Sequence, residues 1–201
     1  MNIIISSNFK KHYSTYIDFI DHYWINYFKL KKISFYSIPN ISKYKYNFSK
    51  NFIKLIILPG GNDLYSKNKI SKIRLKVEFE LIKYGLKNNI PILGICRGMQ
   101  VINLFFKGKQ KRIIGHMKSK HIIFFKKKFF TKTKMSVNSF HNFGIPIKNM
   151  SKKFSVIALD QDNNVEIFKH KKRKIYGFMW HPERNRNYKE LNMIIKKLIK
   201  K

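Results

Sequence analysis

Cys96, the only cysteine in the chain, stands between Gly94 and Gly98 in Pro91-Ile-Leu-Gly-Ile-Cys-Arg-Gly-Met-Gln100. The run before it, Asn89-Ile-Pro-Ile-Leu-Gly-Ile95, is short, apolar and β-branched, the pattern of a buried strand of a parallel sheet. The run after it, Gly98 to Phe106, carries apolar residues at helical spacing. A side chain at such a strand-to-helix corner sits in a strained backbone conformation, and small neighbours let the chain turn sharply and pack closely. A helix N-terminus and a nearby histidine lower a thiol pKa from about 8.5 into the range of roughly 3.5 to 7.5, and the thiolate is the reactive species. A buried structural thiol is in general the commoner case, but a cysteine at this corner reads as a nucleophile before a packing residue.

A thiolate hydrolase needs a base, a group that orients the base, and donors for the oxyanion. Trp180-His-Pro-Glu183 ends an apolar run and places Glu183 two positions from His181, where its carboxylate can hold one imidazole tautomer. With only 10 acidic residues in the chain, that proximity is less expected than in an average protein. Leu58-Pro-Gly-Gly-Asn-Asp63 ends another strand-like run; its Gly60 and Gly61 would expose backbone N–H groups to a substrate oxygen, or form an ordinary tight turn. His141, in Asn138-Ser-Phe-His-Asn142, reads as a pocket-shaping or structural histidine rather than the base. His116 and His121 are five apart on predicted strands with no Asp, Glu or Cys beside them, so no metal is expected.

The elements that must position these residues follow an α/β pattern. Strands are predicted at Asn2–Ser6, Ile33–Ile38, Phe52–Leu58 and Ile90–Cys96, and helices at Tyr13–Leu30 and Lys69–Leu86. In the second helix Arg74 and Glu78 lie four apart on one face and read as a surface or packing ion pair. After Phe106 the pattern changes to short strands and hairpins at Arg112–His116, His121–Phe125, Met135–Ser139, Phe154–Asp160, Val165–His170 and Lys174–Trp180. A last helix is predicted near Tyr188–Lys200. The chain shows no internal repeat and no Gly-, Ser- or Pro-rich linker, so residues 1–201 are expected to form a single domain.

Composition narrows the partners. A formal charge of +33 points by itself to a polyanion. Lysine, however, supplies 37 of the 43 basic residues and arginine 6, whereas base-edge and phosphate recognition favours arginine. Ile, Asn, Phe and Tyr are abundant too, and with Lys they are the residues of A/T-rich codons, so genome base bias accounts for much of the charge. The basic residues are spread along the chain with local clusters such as Lys169-His-Lys-Lys-Arg-Lys174. Weak, salt-sensitive sticking to polyanions is expected, not specific nucleic-acid binding. One cysteine excludes an internal disulfide, and no stretch approaches a signal peptide or the roughly 18 apolar residues of a spanning helix. A soluble, cytoplasmic protein with no membrane partner is expected.

Four stretches, Leu58-Pro-Gly-Gly-Asn-Asp63, Leu93-Gly-Ile-Cys-Arg-Gly-Met-Gln100, Val137-Asn-Ser-Phe-His141 and Phe178-Met-Trp-His-Pro-Glu183, occur in the order and spacing of the class I glutamine amidotransferase superfamily. From about Ile53 to Glu183 the chain most resembles its stand-alone γ-glutamyl hydrolase branch, of the peptidase C26 type. The resemblance implies an α/β fold of three layers, α/β/α, flavodoxin-like, around a mostly parallel central sheet. It implies a triad of Cys96 as nucleophile, His181 as proton shuttle and Glu183 as its orienting group. It further implies an oxyanion hole from the N–H groups of Gly61 and Arg97, and a glutamyl site at Gly60, Gln100, Asn138, Ser139 and Phe140. The implied substrate is a small γ-glutamyl amide, cleaved through a thioester with no metal or organic cofactor. Gly60-Gly-Asn-Asp63 and Val165-Glu-Ile-Phe-Lys-His170 look most similar to small bacterial hydrolases associated with capsule sugar decoration. Two alternatives stand beside this: a glutaminase subunit feeding ammonia to a separate synthase, and a non-catalytic basic protein that binds polyanions on the same fold. A synthase partner or a second copy of the chain is compatible with the sequence.

Overall fold

The computed structural model describes residues 1–41, 48, 49, 52–64, 68–129 and 131–200. The chain opens with β1 (Asn2–Ser6), a hairpin of β2 (Asn8–His12) and β3 (Thr15–Phe19), and helix α1 (His22–Leu30). Next come β4 (Ser34–Ile38), β5 (Ile53–Leu58), α2 (Lys69–Lys87), β6 (Ile92–Ile95) and α3 (Arg97–Phe105). The second half holds β7 (Lys111–Arg112), the long β8 (Met117–Phe129), β9 (Lys132–Phe140), β10 (Phe143–Gly144), β11 (Phe154–Leu159), β12 (Val165–His170) and β13 (Ile175–Phe178), followed by α4 (Lys189–Ile199).

Nine of these strands make one sheet in the order β4-β1-β5-β6-β13-β12-β11-β8-β9. The majority, β4, β1, β5, β6 and β13, form a parallel block. The rest continue it antiparallel. Alternation along the parallel strands explains the layers: Ile3, Ile5, Leu55 and Ile57 face α1 and α4, while Ile4, Ile56 and Leu58 face α2 and α3. With both faces covered, Ile3–Ile5 of β1 and Leu55–Leu58 of β5 read as unbroken apolar runs. The result is the expected α/β/α arrangement.

Two expected elements differ. The predicted helix from Tyr13 begins only at His22, where Asp21 caps it by accepting a hydrogen bond from the Tyr23 N–H at 3.0 Å. The residues before it form the β2–β3 hairpin, turning at Tyr13 with φ of 51°. Thr15-Tyr-Ile-Asp-Phe19 alternates and is rich in β-branched and aromatic residues, which favours a strand. The predicted strand Arg112–His116 is reduced to the two residues of β7, and His116 lies in the bend that leads into β8.

Candidate active site

Three adjacent strands of the parallel block, β5, β6 and β13, end at the same edge of the sheet and each delivers one part of the site. In open α/β sheets, ligands bind outside the carboxyl ends of the strands. Here those ends carry the Pro59-Gly60-Gly61 loop, Cys96, and Trp180-His181.

Cys96 occupies the corner between β6 and α3 with φ 49° and ψ −107°, outside the ordinary regions for an L-residue. Its N–H donates to Phe178 O at 2.7 Å, which ties the corner to the end of β13. The strain is held by close packing: a Cβ on Gly98 would lie 1.9 Å from Leu58 O, so only glycine lets α3 sit this close to β5. Cys96 is 5% exposed and His181 3%, so the pair is shielded but reachable.

His181 Nδ1 donates to Glu183 Oε1 at 2.6 Å, which turns the other ring nitrogen away from Glu183. The imidazole and the Cys96 side chain flank Gly60 together: a Cβ there would lie 3.3 Å from His181 Nε2 and 3.4 Å from Cys96 Cβ. Burial works against the charged form of His181, but the charges and hydrogen bonds of Glu183 and Cys96 outweigh that and push its pKa up to about 10. Gly60 packs on the same ring: a Cβ there would lie 2.5 Å from His181 Cε1. The three residues picked out as a triad are therefore brought together.

The Gly60-Gly61 loop is fixed from beneath by Arg74. Its Nη2 donates to Pro59 O at 3.3 Å and Gly60 O at 3.4 Å, and its Nη1 donates to Asn62 Oδ1 at 2.9 Å and to Asn8 Oδ1. In a trans peptide the C=O and N–H point in opposite directions. Holding Gly60 O inward therefore turns the Gly61 N–H outward. Gly61 has φ of 125°, a conformation that favours glycine. The Arg97 N–H opens α3 and is one of the four N-terminal donors with no acceptor in the helix.

Glu78 joins the two donors from behind. Its carboxylate accepts from Arg74 Nε at 3.0 Å, from Ser6 Oγ at 3.3 Å, and from Arg97 Nη1. Arg74 and Glu78 are fully buried, so the pair is a packing pair, not a surface one. Burial, and then the charge of Arg97, lower the Arg74 pKa to about 10 against the opposing pull of Glu78; it stays a cation at neutral pH. Sequence spacing exposed this pair but not its reach to Asn8, Asn62 and Arg97, which lie elsewhere in the chain.

A cavity of about 160 Å³ beside Cys96 is lined by Gly61, Arg97, Gln100, Phe140 and His141, among others. A second, of about 270 Å³, lies on the His181 side between Gly60, Trp24 and Arg184. A larger cleft, about 950 Å³, lies at the opposite end of the sheet, around Met1, Pro91 and Lys174, and holds none of the site residues. Gln100 lines the smaller cavity while its Nε2 donates to Phe143 O at 2.8 Å. Phe140 lines it too, edge-on to His181 with ring centres 5.7 Å apart. The Asn138 and Ser139 side chains are engaged within the chain. The Asn138 amide clasps the His181 main chain, donating to its O at 3.0 Å and accepting from its N–H at 2.9 Å. Ser139 Oγ donates to His116 O at 2.6 Å and is fully buried. What these two can offer a substrate is main chain.

His116 and His121 differ from expectation. The absence of a neighbouring acid in sequence does not hold in space, where Glu166 and Asp160 stand beside them. His141 belongs to the same group while lining the cavity, with its Nδ1–H donating to Phe143 O at 3.2 Å.

A corner cysteine, a buried His–Glu pair and a donor-bearing loop meet at one sheet edge. The model of class-I glutamine amidotransferases matches residues 13–201, and the chain belongs to that family, a family of amide hydrolases. Among curated relatives it is 37% identical over 163 residues to the γ-glutamyl-CDP-amidate hydrolase of Campylobacter jejuni, covering 80% of this chain and 78% of that one. It is 32% identical over 148 residues to one subunit of the glutamine-hydrolysing GMP synthase of Picrophilus torridus, covering 73% and 75%. A solved glutamine amidotransferase of Thermotoga maritima shares the fold at a TM-score of 0.70 and 18% identity, covering 98% of this chain and 82% of its own.

Proposed function

We propose that this chain is a stand-alone hydrolase of a γ-glutamyl amide, with Cys96 as nucleophile, His181 as acid and base, Glu183 as its orienting group, and the Gly61 and Arg97 N–H groups as the oxyanion hole. The observation that carries the reading is the convergence of Cys96, His181 and Glu183 beneath a glycine loop at the ends of three adjacent strands. The raised pKa of His181 keeps it an imidazolium before substrate arrives. Cys96 Sγ attacks the γ-carbonyl carbon, and the oxygen gains negative charge against the two N–H donors. The C–N bond then breaks as His181 protonates the leaving nitrogen, leaving a γ-glutamyl thioester. Neutral His181 next takes a proton from water, the hydroxide adds to the thioester carbon, and loss of the thiolate frees glutamate.

The leaving group is read as a nucleotide-linked nitrogen, CDP-amidate, in capsule polysaccharide modification. Two things support this: the 37% identical relative, named for that hydrolysis, and the Arg184 guanidinium beside the cavity on the His181 side. A diphosphate leaving group needs cationic donors, and Arg184 is held there 4.6 Å from the centre of the Phe140 ring. Among the described residues no helix is long and apolar enough to cross a membrane, which suits the cytoplasmic setting we assign.

The test is glutamate release from a panel of γ-glutamyl amides, nucleotide-linked ones and glutamine included, with the parent and Cys96→Ala chains. Turnover of nucleotide-linked amides that Cys96→Ala abolishes is the expected result. Unchanged turnover in Cys96→Ala removes the nucleophile. The likeness to a GMP synthase component favours the second reading, a glutaminase subunit. That reading predicts glutamine hydrolysis only on addition of a synthase.

A further inference from the structure

Behind the smaller cavity, β8, β9 and β12 bring together a cluster that the reaction does not use. One ligand atom each of His116, His121 and Glu166 lie within 4.8 Å of one another. His121 Nε2 is 3.4 Å from Glu166 Oε1, and His141 Nε2 is 4.0 Å from the same oxygen. The Asp160 carboxylate lies 3.6 Å from His116 Nε2, where a carboxylate would orient the ring of a metal-bound histidine.

The cluster lacks the partners that its burial demands. Glu166 is 0% exposed, and neither of its carboxylate oxygens makes a hydrogen bond within the chain. Neither do His116 Nδ1, His121 Nδ1 and Nε2, or His141 Nε2. Phe143 O can only accept, so His141 Nδ1 carries the proton and its Nε2 presents a lone pair toward Glu166. Two acceptors then face one another in a dry interior, an arrangement that a cation between them would resolve.

We propose that His116, His121 and Glu166, with His141 as the fourth donor, form a site for a divalent transition-metal cation of the zinc type. Two or three imidazoles with one carboxylate are a zinc donor set. Ligand atoms about 2.0–2.1 Å from a tetrahedral metal stand about 3.4 Å apart, and His121 Nε2 and Glu166 Oε1 already have that separation. His121, 16% exposed at its side chain, gives the path of entry. A bound ion would fasten β8 to β12 and fix His141, a wall of the cavity beside Cys96, without taking part in the reaction.

The test uses Cys96→Ala protein, so that the active-site thiolate cannot bind metal itself, stripped with chelator and titrated with Co²⁺ and Zn²⁺. The expected result is one equivalent bound, a visible Co²⁺ spectrum of nitrogen and oxygen ligation, and a melting temperature raised by about 5–10 °C at a hundredfold excess over Kd. His121→Gln and Glu166→Gln, each made in the Cys96→Ala background, should weaken binding by at least about 100-fold. Circular dichroism without metal confirms that each variant is folded; His121→Gln, at the least buried of the positions, covers the case in which Glu166→Gln does not fold. No stoichiometric binding to Cys96→Ala overturns the site, as does binding that the folded variants retain.

Discussion

Glu78→Gln separates the alignment of the oxyanion donors from the reactivity of the nucleophile. In the parent, one buried carboxylate stands between two buried guanidinium groups, accepting from Arg74 Nε at 3.0 Å and from Arg97 Nη1. The amide keeps the shape but removes the charge, and its NH₂ must face one of the guanidinium donors. Breaking a buried ion pair by removing one partner costs about 3–5 kcal/mol of stability. At roughly 2–4 °C per kcal/mol for a chain of this size, the melting temperature should fall by about 6–20 °C. Arg74 would also loosen its hold on Pro59 O and Gly60 O, allowing the Gly61 N–H to rotate out of line. Complete removal of an oxyanion donor costs about 10²–10³ in kcat, so a displaced donor should cost about 10–100-fold. Turnover is measured well below the melting temperature, alongside the rate at which iodoacetamide alkylates Cys96, a reaction that develops no carbonyl oxyanion. Alkylation should stay within about threefold of the parent, since it draws on none of that stabilisation. A loss of alkylation in parallel with kcat, or full turnover in the folded variant, refutes the reasoning.

Because His181 is held charged up to about 10, kcat/KM should persist through neutral pH and fall as pH rises through about 10. The same raised value makes the imidazolium a stabilising group whose contribution is complete below the unfolded pKa of about 6.5 and fades as pH climbs through about 10. Glu183→Gln should move that alkaline limb to lower pH; a limb that stays put in a pH–rate profile contradicts the assignment. Gly98→Ala places a methyl group 1.9 Å from Leu58 O, and overpacking of this kind should cost at least about 1–3 kcal/mol by denaturant melt while displacing Cys96. Parent-like stability and turnover would show that α3 has slack against β5. Arg184→Ala should raise KM for nucleotide-linked amides and leave a small γ-glutamyl amide unaffected; equal effects on both would remove Arg184 from leaving-group recognition.

The parts of the site legible in the sequence are those whose signals are local. The corner at Cys96, the His181–Glu183 pair and the Gly60-Gly61 loop each declare themselves within a few residues. The apolar runs of β1, β5 and β6 do so as well, because a strand buried on both faces is apolar along most of its length. Contacts made across the chain were not legible. Arg74 and Glu78 have the spacing of an ordinary helix pair, and only their partners at Asn8, Asn62 and Arg97 bury them. The hairpin at Tyr13 turns without the Gly or Asn that announces a tight turn, so its aromatic residues passed for the apolar face of a helix. Asn138 and Ser139 lie in a motif that marks the right strand, but their side-chain partners, His181 and His116, come from elsewhere in the chain.

The Asn138 clasp has a geometric consequence. Along the sheet β9 is four strand positions from β13, which at about 4.8 Å a step is roughly 19 Å if the sheet were flat. Yet Asn138 on β9 bonds the residue three positions beyond the end of β13 at 3.0 Å. The antiparallel half must therefore curl back until its outer edge meets the parallel block, and the clasp closes the ring. Strand register thereby becomes a catalytic variable: a one-residue slip of β9 against β8 would turn Asn138 to the opposite face and release His181. The pairing of Asn138 with Lys120 cannot shift without unfastening His181.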